Sequence, residues 1–425
     1  MTERYDHPLR HTLSQMLHER TLPVFNSPVI LRSWVYLVAD EERAAEARWI
    51  SSLDSEGTAA ETGRLLSIGD NGGYLWERHG EFSVYLCFEY RREDAGAGLG
   101  FARPFASGFN WLEGAAGRVF KAIEIVVQKK MPDVAELQTY LDMRQAVCCD
   151  VFDGAARIWT DFRLHDGHSG RMFVLDQGLQ NDELSRLLQC LIDLGQYRKL
   201  ALLGFPPARA LIGWLGAAEE RLVAISENLA SSQGLSQQDI LDSLLSLSAE
   251  VEHRINESRF RQGATEAYYR LTIDRLSTLR ERRVAGCATM SDFIERRLQP
   301  AMRTCQAANW RLEGLSQRLG RTSDLLRARI SISLEVQNQS LLRSMDGRAH
   351  LQVKMQALVE GLSVFALSYY IFSLLKYLVD PLIEGNHALT QSVHTAMIVG
   401  LVGGCWYFIN ARKKLFHREI GGKPE

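Results

Sequence analysis

Glu360 is the one acid inside an otherwise apolar interval, Met355–Leu375, bracketed by Lys354 and Lys376. The chemistry open to a carboxylate in that setting is to hold a cation. On a helical wheel, Gln352, Gln356, Glu360, Ser363 and Tyr370 fall within about a quarter turn of one another, with Leu367 interrupting the stripe. A polar stripe on a membrane helix faces other helices or water rather than lipid. Three readings follow. Glu360 can stay near the headgroups, or pair with Lys354 or Arg348, which is the plainest reading. Several copies can meet around an axis, so that the stripe lines a pore and a ring of carboxylates attracts cations. Or the stripe makes a polar contact between helices. A charge at the bilayer centre costs about 3 kcal/mol, and Glu360, one to two turns inside, costs less.

Other residues with chemical potential carry weaker signals. His165 and His168 in LHDGHSG could hold a metal with Asp166, but a fourth ligand is missing and the setting reads as a surface loop. His7 and His11 are spaced to share a helical face, which packing explains as well as ligation. GAGLG (96–100) lacks the helix and distal acid of a dinucleotide site and reads as a loop. Cys148–Cys149 opens a strand candidate, where thiols are ordinarily buried. WTDF (159–162) alternates aromatic and polar residues, the pattern of a half-buried strand. The chain has no GxxxxGK[ST] phosphate loop and no GxSxG elbow. No catalytic residue or bound cofactor is expected, and the chain does not read as an enzyme.

The elements around these residues form a sequence of zones. The chain has 425 residues, a net charge of −2 and 46% hydrophobic residues. That length supports two or three domains, and the near-neutral charge gives no case for nucleic acid as a partner. The seven cysteines are scattered, without CxxC spacing, which fits a reduced cytoplasmic body. The polar N-terminus lacks the apolar core of a signal peptide. Residues 1–206 read as a cytoplasmic α/β domain. Strands are predicted at 28–40, 118–127 and 155–165, a hairpin at 74–90 turning near His79–Gly80, and a helix at 182–205. Residues 207–354 read as a helical region and stalk, without strand signals, broken at 231–236 and 283–291. Leu298, Met302, Cys305, Leu312, Leu315, Leu319 and Leu326 form its apolar stripe. Ser291 or Asp292 is placed to cap the last helix, and Pro300 should kink it. Continuous from Ser291 to Leu375, that helix would measure about 125 Å and need partners along its sides.

Residues 355–411 read as a two-helix transmembrane hairpin. Met355–Leu375 matches a hydrocarbon core of about 30 Å. A second run is strongest at 395–409 and reaches back to Ala388; no comparable run is expected in the body. Arg343, Arg348 and Lys354 precede the first span, and Arg412, Lys413, Lys414 and Arg418 follow the second. The loop between has no lysine or arginine, which puts both termini in the cytoplasm. Residues 412–425 form a basic cytoplasmic tail.

The order of these zones resembles the architecture of the CorA-type magnesium transporters. That resemblance implies a pentamer whose first span lines a pore, and a divalent cation as cargo. The Gly-Met-Asn signature of those proteins is absent; the matching place reads YLVDPLIEGNHA. A closer similarity is to a bacterial family of uncharacterised membrane-anchored proteins defined by a domain of unknown function. It is carried by HPLRHTLSQMLHER (7–20), ARIWTDFRLHDG (156–167), FVLDQGL (173–179), YRKLALL (197–203), ERRLQPAMRTCQA (295–307), SLEVQNQSLLRSMDGRAHLQ (333–352) and VEGLSVFALSYY (359–370). The chain departs from that family at His18–Glu19–Arg20–Thr21, where His-Ala-Arg-Pro is usual. The similarity implies anchoring in the bacterial inner membrane and supplies no activity. The expected fold class is α+β: a sheet domain, a helical stalk and two C-terminal transmembrane helices. The expected function is that of a homo-oligomeric scaffold or interaction protein with an unknown protein partner. The alternative is a divalent cation channel or transporter.

Overall fold

The computed structural model describes residues 22–54, 57, 59–91, 109–165, 168–231, 236–379 and 387–420, together with 7 and 10. The chain divides into two compact units, Met1–Ser323 and Asp324–Glu425. The fold is mixed α+β.

The first unit is built on a nine-stranded sheet. Its strands are β1 (Val29–Leu37), β2 (Arg64–Gly69), β3 (Gly72–Arg78), β4 (Phe82–Tyr90), β5 (Arg118–Gln128), β6 (Val147–Val151), β7 (Ala156–Thr160), β8 (Gly170–Asp176) and β9 (Arg282–Arg283). They lie in the order β2-β3-β4-β1-β5-β8-β7-β6-β9. β5 and β8 run parallel, and the other strand pairings are antiparallel. β1 is paired along both edges by β4 and β5 and packed by helices on both faces, so its sequence, VILRSWVYL, is apolar nearly throughout.

The helices cover both faces. On one face, α1 (Arg43–Leu53), α2 (Ala59–Thr62) and α3 (Val134–Tyr140) supply Ile50, Ala59, Leu137 and Tyr140 to pack on Ile30, Tyr36, Trp76, Tyr85 and Phe173. On the other, α4 (Asn181–Leu202) sets Leu200 against Val35, Phe82 and Val84. Tyr268 of α6 (Gln237–Leu279) joins that second cluster, while α5 (Phe205–Ala230) precedes α6 in the chain. Two prolines occupy the first turn of α5, where a missing N–H costs nothing.

The predicted strands 28–40 and 118–127, the hairpin and the helix at 182–205 are all present. The hairpin closes where His79 N donates to Phe82 O at 2.9 Å. Three expectations are corrected. The strand predicted at 155–165 ends at Thr160. The helical region is not free of strands: β9 pairs with β6 at Cys149 and Asp150, an edge pairing made by backbone that two arginines cannot announce. The body does contain a window apolar enough, by length and composition, to cross a membrane, within the helical residues 182–230 of α4 and α5. A third of that window is buried in the fold (33%), against 6% for the window in the last long helix.

That helix, α7, runs Met290–Val379 and continues through Pro300. Its N-cap is Thr289 rather than Ser291 or Asp292. Thr289 Oγ1 accepts from Asp292 N at 3.0 Å, and Asp292 Oδ2 accepts from Thr289 N at 3.3 Å. The stripe from Leu298 to Leu326 is buried at every predicted position. Arg311 ties α7 to Glu219 of α5 at 2.9 Å. The last helix, α8, is His387–Ile420 and carries the predicted second apolar run.

Candidate functional site

Two places collect functional side chains, one in each unit. In the second unit, the end of α7 lies against α8. Val364, Ser368, Ile371 and Phe372 are among the covered positions of α7, and Met397, Leu401 and Cys405 recur every four residues on α8. Phe372 and His394 meet edge to face at 6.1 Å. An apolar groove of about 650 Å³ lies between the helices, lined by Ser363, Leu367, Ile371, Met397, Leu401 and Cys405 among others.

The predicted polar stripe lies mostly beside this contact, and of its residues Ser363 reaches the lining of the groove. Gln352, Gln356, Ser363 and Tyr370 are exposed, and Glu360 is half-buried at the edge of the covered face. Gln356 Nε2 donates to Glu360 Oε1 at 3.4 Å, and Ser363 Oγ donates to Val359 O at 2.8 Å. Ser368 is the polar residue that the contact buries. It lies about 160° round the wheel from Gln352, so the stripe passed it by.

The second place is a basic pocket in the first unit. Lys121 on β5 is buried, and its ammonium donates to Ile192 O of α4 at 3.0 Å. Gly195 makes this approach feasible: a Cβ there would stand 2.6 Å from Lys121 Nζ. One turn on, Arg198 lies 4.4 Å over the ring of Phe162. Phe162 stacks on Phe293 at 4.3 Å, and Arg297 lies 4.3 Å over Phe293. A cavity of about 50 Å³ is lined by Lys121, Phe162, Arg163, Arg171, Arg198 and Lys199 among others, and no acid is among its lining residues.

The electrostatics follow from this crowding. Burial, then the neighbouring Arg198 and Lys199, pull the Lys121 ammonium down to about 7. Burial and Arg297 lower Arg198 to about 10. Burial and Arg198 lower Lys199. The nearest acid, Asp193, is committed elsewhere: Oδ2 accepts from Arg275 at 2.9 Å, and Oδ1 accepts from Gln189 and Gln196. Burial raises its carboxyl against the pull of Arg275.

WTDF contributes more than strand patterning. Trp159 is core, but the chain leaves the strand after Thr160, and Phe162, at φ 55°, turns to meet Arg198 and Phe293. Asp161 is buried and accepts from His165 Nε2 at 2.8 Å, from Asp142 N and from Arg163 N. His165 is thus a loop strut. His168 is exposed, Asp166 lies outside the described residues, and no cluster of three metal-ligating side chains occurs among the described residues. Cys148 and Cys149 are buried on β6; burial and Cys287 push the Cys148 thiol up to about 12. His11 and GAGLG (96–100) also lie outside the described residues. Sequence reasoning missed the basic pocket, whose cations come from positions with no shared motif.

A family model described as a protein of unknown function (DUF3422) matches residues 5–415. No curated protein matches the chain.

Proposed function

The chain belongs to the DUF3422 family, whose description assigns no activity, and from that premise we propose that it is a membrane-anchored scaffold or interaction protein. The observation that carries this reading is the uncovered apolar surface of α7. Leu358, Leu362, Phe365 and Leu374 are each about two-thirds or more exposed, and the apolar window is only 6% buried. A continuous apolar helix surface of this length has lipid as its natural solvent. α8 supplies the returning span, and the lysine and arginine bias keeps both termini in the cytoplasm. The layout then parallels that of the CorA-type transporters. Self-association is supported by Leu334, Leu341 and Met345, which follow one another by seven and four residues and are all exposed.

The intact chain should sediment with membranes, stay there through alkaline carbonate and leave only with detergent. Protein that stays dispersed in buffer without detergent would overturn the reading. A second reading, cation conduction, is supported by Gln352, Gln356 and Tyr370, which are exposed outside the groove with α8 and which copies of the chain could gather around an axis. Its signature is cation flux into proteoliposomes that Glu360→Ala reduces; flux no greater than in empty vesicles removes it.

A further inference from the structure

The pocket around Lys121, Arg198 and Lys199 poses a problem independent of the membrane. Charges taken out of water are ordinarily paired. Here Lys121 is buried and Arg198 and Lys199 are half-buried, and among the described residues Arg198 and Lys199 have neither a carboxylate partner nor a hydrogen-bond acceptor. Lys121 has one carbonyl, and its nearest acid is held by Arg275. The positive groups depress one another's protonation, as like charges forced together must. The fold nevertheless builds the arrangement with care. Gly195 clears room for the Lys121 ammonium, and Phe162 holds Arg198 over its ring. A guanidinium held over a ring keeps its five N–H donors for another partner, and a fork of that kind suits a phosphoryl group.

We propose that this pocket binds a small oxyanion of the phosphate class, held between Lys121, Arg198 and Lys199, with Arg163, which also donates to Asp142 Oδ2 at 2.8 Å, at the entrance. Three cations fit a doubly charged group better than a single carboxylate. The cavity of about 50 Å³ receives the anion itself and leaves no room for a base or a sugar beyond it. Leu164 and Arg163 are exposed where the pocket lining reaches solvent, so an esterified phosphate would keep its organic part outside.

The test uses the intact chain in detergent, with inorganic phosphate, sulfate and glycerol phosphate as probes and chloride at equal ionic strength as control. Phosphate and sulfate should raise the thermal midpoint well beyond chloride and give saturable heats in calorimetry. Glycerol phosphate separates the sources: a response shows that a phosphate ester enters, and silence alongside a phosphate response shows a site for the free anion. Arg198→Gln should bind phosphate at least about tenfold more weakly while melting, without anion, no lower than the parent, because it removes a repelling charge. Lys199→Gln is the second variant should Arg198→Gln fold poorly, and Arg186→Gln, on an exposed ion pair outside the pocket, should respond like the parent. Equal midpoints in phosphate and chloride, or a full phosphate response in both pocket variants, would overturn the proposal.

Discussion

Replacing Glu46 by leucine should cost about 4 kcal/mol of stability, the largest single loss expected in the sheet unit. Glu46 sits on α1 and is 1% exposed. Its Oε1 accepts from Tyr85 OH at 2.8 Å and from Trp76 Nε1 at 3.2 Å, and its Oε2 accepts from Arg43 at 3.0 Å. Trp76 and Tyr85 are fully buried, so their donors have no water to turn to. Burial and the Glu46 carboxylate together raise the Tyr85 phenol above its ordinary value. Leucine fills the volume but strands two donors and leaves Arg43 without its carboxylate. Arg43 also holds the β3–β4 turn through His79 O and Gly80 O, so the loss should reach the hairpin. Urea unfolding of the intact chain in detergent, followed by tryptophan fluorescence, reads the effect. Glu46→Gln, which keeps an acceptor oxygen for Tyr85 and Trp76 and loses the one that takes Arg43, should lose about half as much. A leucine variant within about 1 kcal/mol of the parent would mean that this network contributes little.

The second large effect is a stability that rises with pH. Below about pH 7 Lys121 is charged in both the folded and the unfolded chain, and the folded state bears the full cost of burying it. Between about 7 and its ordinary value near 10.5, the folded protein has released a proton that the unfolded chain still binds. The unfolded state then holds more protons, so stability climbs with pH across that window. From pH 7 to 9 the gain should be about 2 kcal/mol. The groups facing Lys121 are Asp193, Arg198 and Lys199 of α4, with Arg163 and Arg171 on the pocket wall and Arg275 of α6 behind Asp193. Their own titrations remain in a Lys121→Met variant. The difference between parent and variant, in phosphate-free buffer, therefore isolates the lysine. Parallel pH profiles for the two proteins would show that Lys121 is not the source.

Much of the fold could be read along the chain. VILRSWVYL announced β1 because a strand buried on both faces is apolar at nearly every position. YLWERHGEFSVYLCFEY announced the hairpin because its apolar runs break at His79–Gly80. The stripe from Leu298 to Leu326 was legible because helical spacing repeats within one segment. β2 and β8 were harder: RLLSIG and GRMFVLD are short, and short apolar runs belong equally to helices and strands. β9 carries no local signal. The cap of α7 was misplaced by two or three residues because Thr289, Ser291 and Asp292 all have capping side chains, and only the backbone geometry chooses among them.

By itself the sequence determined what depends on contiguous residues: the strand and helix patterns, the apolar surface of α7 and the charge bias around it. Hydrogen bonding and partition into lipid are properties of a segment, so a segment displays them. Tertiary structure alone decided the placement of Glu46 among Arg43, Trp76 and Tyr85, and the convergence of Lys121, Phe162, Arg198, Phe293 and Arg297. Those residues meet only because β5 and β8 pair in parallel, α4 lies across them, and α7 begins beside the turn after β7. Desolvation and charge repulsion act through space over a few ångströms, and no spacing along the chain encodes them.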